Sequence, residues 1–197
     1  MDEGYIKFHL DHDKSAPPES STLTNLLKAR DALHQLRLIG VMEDGIGFGN
    51  ISIRKNGTNQ FIITASATGS IYPITKQQVS LVTSFDIKTN SLSCRGLLPA
   101  SSESLSHGAV YLANPLISAV AHVHSALLYE SLPIEGWPVT TKSAAFGTPA
   151  IAIAISEAVQ NSGQNSGLIV MGGHEDGILS FGPDLDSTCK LLIDRLK

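Results

Sequence analysis

Cysteine is close to absent from this chain: only Cys94 and Cys189 occur among its 197 residues, far apart and in no C-x-x-C arrangement. That argues against a disulfide framework, and both are expected as free thiols. Runs of basic residues are missing too. With 14 Lys and Arg against 18 Asp and Glu, the net charge is −4, which offers no basic face to nucleic acid or to an anionic membrane. No apolar run reaches membrane-spanning length, and the start Met1-Asp2-Glu3-Gly4 lacks the basic-then-apolar order of a secretory signal. The expectation is a cytoplasmic protein with neither nucleic acid nor membrane as partner. What is present, 42% hydrophobic and 16% charged residues, suffices for one sizeable core. Residues 21–197 read as a single domain behind a flexible N-terminal arm over 1–20, where no periodicity is sustained and Pro17-Pro18 breaks the chain. His9 and His12 in that arm could hold a metal, but the cost of ordering a flexible segment argues against it.

The apolar positions Leu23, Leu26, Leu27, Leu33, Leu36 and Ile39 recur at helical spacing after the capping residues Ser20 to Thr22, with Gly40 as the stop and His34 on the surface. The glycine-rich stretch Gly45 to Gly49 is no dinucleotide fingerprint, because it opens into the alternating strand Ile51 to Arg54 and not into a helix. It is either a plain strand-entry loop or a loop whose backbone N–H groups, with Asn50 and Ser52, face an anion. Asn56-Gly57 marks a hairpin returning through Phe61 to Thr64. Two small polar runs follow, Ala65 to Ser70 and Ala100 to Ser102, separated by a short helix near Ile74 to Val79 and a strand over Leu81 to Ile87. A helix is expected from about Glu103 to Ala113, placing Glu103 and His107 on one face; Glu103 is at least a favourable first-turn carboxylate.

Ala119 to His124 reads as a strand whose period of two puts Val120, His122 and His124 on one face. Two imidazoles held rigidly on one side are what a divalent ion needs from a strand, although two hydrogen-bonded core histidines would show the same pattern. Thr148-Pro149 opens a helix to about Gln160. The buried-type strand Gly167 to Met171 then delivers Gly172-Gly173-His174, and the glycines let His174 approach the H-x-H strand. A strand over Ile178 to Gly182 and a last helix capped by Asp184 complete the chain. Hairpins and meanders with interspersed helices predict an α+β or layered α/β/α protein with a largely antiparallel sheet. Three histidines and a carboxylate would close a tetrahedral zinc site, catalytic if Glu103 is displaceable.

Taken together, Gly49-Asn50-Ile51-Ser52, Thr68-Gly69, Ser101-Ser102-Glu103 with His107, His122-Val123-His124 and Gly173-His174 resemble the class II aldolase/adducin family, on its L-fuculose-phosphate aldolase branch. The resemblance spans roughly Leu23 to Phe181. It implies a three-layer α/β/α sandwich around a mainly antiparallel sheet, assembled as a homotetramer. It implies that His122, His124 and His174 bind Zn²⁺ or another divalent transition metal, with Glu103 as the catalytic acid/base and a possible fourth ligand. Gly49, Asn50, Thr68, Gly69, Ser101 and Ser102 would receive the phosphate of a small sugar phosphate. The implied activity is a zinc-dependent lyase reaction, the retro-aldol cleavage of a fuculose-1-phosphate-like ketose phosphate to dihydroxyacetone phosphate and an aldehyde. A sister epimerase or dehydratase, or a non-catalytic adducin-like interaction module, is the alternative. Against the family, the stretch around 132–145 is short and carries no tyrosine to serve as a second acid/base group, and the chain stops at Lys197 soon after its last helix. Glu175-Asp176 follow His174 where the family has glycine, and are expected to form a charged turn.

Overall fold

The computed structural model describes residues 5–196; the acidic start, Met1 to Gly4, and Lys197 lie outside the described residues. In chain order the elements are β1 (His9–Lys14), α1 (Leu23–Gln35), β2 (Gly40–Val41), β3 (Gly47–Phe48), β4 (Asn50–Arg54), β5 (Phe61–Thr64), a 3-10 turn (Lys76–Gln78), β6 (Val79–Asp86), β7 (Ser91–Gly96), α2 (Ser104–Ala113), β8 (Ala119–His124), α3 (Ala126–Ile134), α4 (Pro149–Ser162), β9 (Gly167–Val170), β10 (Gly177–Gly182) and α5 (Leu185–Ile193). Eight strands form one sheet in the order β1-β7-β6-β5-β4-β8-β10-β9, and β2 and β3 make a separate short ribbon. Every neighbouring pair in the large sheet is antiparallel except β1 with β7.

Strand alternation sorts the apolar side chains into two cores. Val120 of β8 joins Phe61, Ile63 and Phe181 under α2 and α4, whose Leu105, Val110, Ile151 and Ile155 cover that face. Ala119, Ala121 and Val123 face the other way, with Ile51, Ile62 and Ile178, under α1, α3 and α5. A sheet buried on both faces by helices is the three-layer α/β/α sandwich that the sequence predicted. β8 is buried along its whole length, in the middle of the sheet. His122 and His124 therefore share Val120's side of the sheet, as the period of two required.

Three local expectations are corrected. His9–Lys14, read as part of an irregular arm, forms the edge strand β1 and pairs in parallel with β7. His12 Nε2 donates to the Gly96 carbonyl at 3.0 Å and is thereby engaged in the sheet edge, not with His9 in a metal site. The strand Ser91–Gly96 was not among the strands expected from the sequence, although Leu92 and Cys94 alternate into the core between Ser91, Ser93 and Arg95; the alternation is short and carried by only two apolar side chains. Finally, α1 stops at Gln35, short of the Gly40 stop. Arg37 adopts a left-handed φ of 60°, and the Leu38 and Arg37 N–H groups bond back to Leu33 O and His34 O, a Schellman closure with arginine where glycine is usual. That turn carries Leu38 and Ile39 into the core, both almost fully buried.

Candidate active site

Asn50, Leu179 and His122 lie side by side across β4, β10 and β8, so the site begins in the centre of the sheet. His174 comes from the β9–β10 connection, where its N–H bonds to Met171 O and its carbonyl accepts from Gly177 N–H. The two glycines before it are required, though not by an approach to β8: a Cβ at Gly172 or Gly173 would collide with the carbonyls of Thr140 and Ala144. They let the 139–146 segment close over the connection. Glu175 and Asp176 form the turn that follows, outside the group of potential metal ligands, with Asp176 at a φ of 60°.

One ligand nitrogen from each of His122, His124 and His174 lies within 4.8 Å of the others. All three side chains are buried, and His174 Nε2 stands 2.9 Å from His124 Nε2. His122 Nδ1 is 3.2 Å from the Ile178 carbonyl. A carbonyl only accepts, so Nδ1 carries the proton and Nε2 presents its lone pair, buried and without a hydrogen-bond partner. Burial, reinforced by the neighbouring His174, His124 and His107, holds the His122 pKa well below the ordinary imidazole value, which keeps this ring neutral. A buried orphan acceptor beside two more imidazoles fits a divalent transition ion, for which neutral imidazole is a preferred ligand.

Glu103 sits at the N-cap of α2 and is 3% exposed. Its Oε2 accepts from Ser106 Oγ at 2.7 Å. Its Oε1 is buried without a hydrogen-bond partner, 3.8 Å from His174 Nδ1. Next to it a pocket opens whose wall includes Gly49, Asn50, Thr68, Gly69, Ser101 and Ser102 together with Glu103, His122 and His174. The structure thus brings together nearly all the residues singled out from the sequence, with His124 completing the imidazole cluster behind the wall. Asn50 Oδ1 is buried and unpartnered, and the Thr68 hydroxyl donates to Ala65 O.

Further residues surround this group. Phe48 packs its ring against His124 and Phe146 against His174, with centroids 5.2 and 4.7 Å apart. Both phenyl rings line the pocket. Lys7 stands over the Phe146 ring at 3.8 Å. Ser52 Oγ is 2.7 Å from both His107 Nδ1 and Tyr111 Oη, a buried network on the same side of the sheet. Burial alone lowers the His107 pKa to about 3. Ser52 and His107 already stood in the sequence motifs, and the glycine-rich spacing before Asn50 hinted at Phe48; Lys7, Tyr111 and Phe146 meet the site through contacts distant in sequence.

A family model described as the class II aldolase and adducin N-terminal domain matches residues 34–194. No curated protein matches the sequence. Among solved structures, an L-fuculose 1-phosphate aldolase is similar with a TM-score of 0.68 at 20% identity, over 92% of this chain and 84% of its own. The L-fuculose-1-phosphate aldolase of Thermus thermophilus gives 0.60 at 19% identity over 88% of each chain. A sugar-phosphate aldolase from Thermotoga maritima gives 0.64 at 15% identity, over 88% of this chain and 90% of its own. Identities this low speak for a shared fold and leave substrate open. With the family model spanning most of the sequence, the chain belongs to the class II aldolase and adducin family.

Proposed function

We propose that this protein is a metal-dependent carbon–carbon lyase that cleaves a small phosphorylated ketose, of the fuculose 1-phosphate kind, to dihydroxyacetone phosphate and an aldehyde. One observation carries the reading: three buried imidazoles converge beside a buried carboxylate oxygen without a partner, at the base of a pocket walled by serine, threonine and glycine. A module using the fold only for contacts would gain nothing from burying His122 Nε2 and Glu103 Oε1 unpaired, at about 1–3 kcal/mol each.

Zinc, or another divalent transition ion, held by His122, His124 and His174 would supply Lewis-acid polarisation of the ketose carbonyl. Ser106 occupies Glu103 Oε2, so Oε1 is the atom left to exchange a proton with substrate. In the cleavage direction the hydroxyl proton of the aldehyde fragment would pass to Glu103 Oε1, the C–C bonding electrons would stay with the dihydroxyacetone phosphate fragment, and Glu103 would return that proton to the carbon released. The sister epimerase and dehydratase reactions would use the same carboxylate. Asn50, Thr68, Ser101, Ser102 and the peptide N–H groups of Gly49 and Gly69 would hold the phosphate by neutral hydrogen bonds. Phe48 and Phe146 shield the imidazoles from water. Assembly as a homotetramer belongs to the same proposal. It is supported by Leu127 and Ile134, seven residues apart on one face of α3 and 61% and 88% exposed.

Elemental analysis of wild type, His122→Ala and Glu103→Gln, alongside a screen of ketose phosphates for aldehyde release, tests the proposal. About one metal per chain is expected, lost in the histidine variant and kept in the glutamine variant, with turnover lost in both. A well-folded wild type that takes up no metal after dialysis against zinc would sink the lyase reading.

A further inference from the structure

Arg30 of α1 is 1% exposed and is no part of the pocket wall, yet it holds that wall from behind. Its Nη2 donates to the Thr68 and Gly69 carbonyls at 2.9 and 3.0 Å, and its Nη1 to Asp31 Oδ1 at 3.2 Å. Asp31 Oδ1 in turn accepts from the Ile74 N–H at 3.1 Å. One helical turn on, His34 stacks on Tyr72, ring centroids 5.1 Å apart. One face of α1 therefore grips the loop from Thr68 to Ile74.

A trans peptide points its C=O and its N–H in opposite directions. With the Thr68 carbonyl drawn to Arg30, the Gly69 N–H is turned away from α1. On that side lies Gly47, where an added Cβ would stand 3.2 Å from Gly69 N, and both glycines line the pocket. Gly69 itself admits no side chain, because a Cβ there would collide with the Gly40 carbonyl. The peptide is thus fixed between a cation behind it and the β2–β3 ribbon in front.

The charge matters as well as the geometry. Among the described residues the pocket wall contains no Lys or Arg, although its loops suit an anion. A buried guanidinium is costly unless its donors are satisfied, and an apolar side chain would serve packing alone. Carbonyls bound to a cation polarise their peptides and make the N–H groups better donors.

We propose that Arg30 is the positioning residue of the anion loop: a buried cation that orients and polarises the Thr68 and Gly69 peptides so that they receive the phosphoryl group. This rests on the phosphate pocket of the proposed function. Inorganic phosphate would be titrated calorimetrically into wild type, Arg30→Met and Arg30→Lys, with metal content and thermal midpoint measured on each. Arg30→Met is expected to weaken phosphate binding about tenfold or more, and Arg30→Lys less, since an ammonium keeps the charge although it bridges two carbonyls poorly. Metal content should be unchanged in both. Unchanged phosphate affinity in whichever variant folds would overturn the proposal, as would a parallel loss of metal, which is what a merely structural role produces. A wild type that binds no phosphate would overturn the pocket itself and this inference with it, whereas Arg30 variants matching a phosphate-binding wild type would overturn the inference alone.

Discussion

Asn50 is the cross-strand partner of His122. The register of β4 on β8 therefore places the unpaired amide oxygen of Asn50 on the same side of the sheet as the unpaired imidazole nitrogen of His122. The proposed phosphate loop and the imidazole cluster are thus joined by backbone pairing, and a one-residue slip of β4 would turn Asn50 to the face opposite His122.

Ser106 tests whether Glu103 works as an oriented carboxylate. Ser106→Ala removes the 2.7 Å bond to Oε2 and leaves the helix otherwise intact. A hydrogen bond to a charged group contributes about 1.5–3 kcal/mol. The expected result is a fall in kcat of roughly 10- to 100-fold, with KM and metal content nearly unchanged. Steady-state kinetics beside elemental analysis would check it.

Gly173→Ala drives a methyl group into the Ala144 carbonyl. Relieving the overlap must displace the 139–146 segment or His174. A loss of about 1–3 kcal/mol in stability is expected from overpacking of this kind. Zinc affinity should fall with it, measurable by competition with a chelator. An unchanged denaturation midpoint and zinc affinity would contradict the close fit.

Acid should destabilise the metal-free protein through His107. Its folded pKa is about 3, whereas an unfolded histidine titrates near 6.5. Between these values the unfolded state binds the proton and the folded state does not, so stability falls as pH drops below about 6.5, by at most ~1.4 kcal/mol per unit. His122, also depressed, adds in the same direction. Urea unfolding of the His107→Gln variant in chelator between pH 6.5 and 4 should show a shallower slope than wild type, by about one proton.

Leu127 and Ile134 test the assembly. Sedimentation of wild type should give a tetramer, and replacing both residues with lysine should shift the population to smaller species without altering the circular dichroism spectrum. A wild-type monomer would remove the oligomer from the proposal.

Features written within a few residues were legible from the chain alone. The alternation in Ala119 to His124 fixed which face both histidines share, because strand side chains alternate whatever the partner strand. Asp184 was legible as the cap of α5, and its carboxylate accepts from Ser187 N–H at 2.7 Å. The residue motifs from Gly49 to His174 pointed to the family. Other features depended on where distant segments meet. His9–Lys14 became a strand only because Ser91–Gly96 lies beside it, and a polar edge strand carries little apolar pattern of its own. Arg37 closed α1 in a conformation that sequence assigns to glycine, held there by burial of Leu38 and Ile39. Arg30 shares the buried face of α1 with Leu23, Leu26 and Leu33, but the carbonyls that satisfy its charge there lie nearly forty positions away, on the loop at Thr68 and Gly69. Local periodicity specifies which way a side chain points from its own element; what it meets there is decided by the packing of the whole chain.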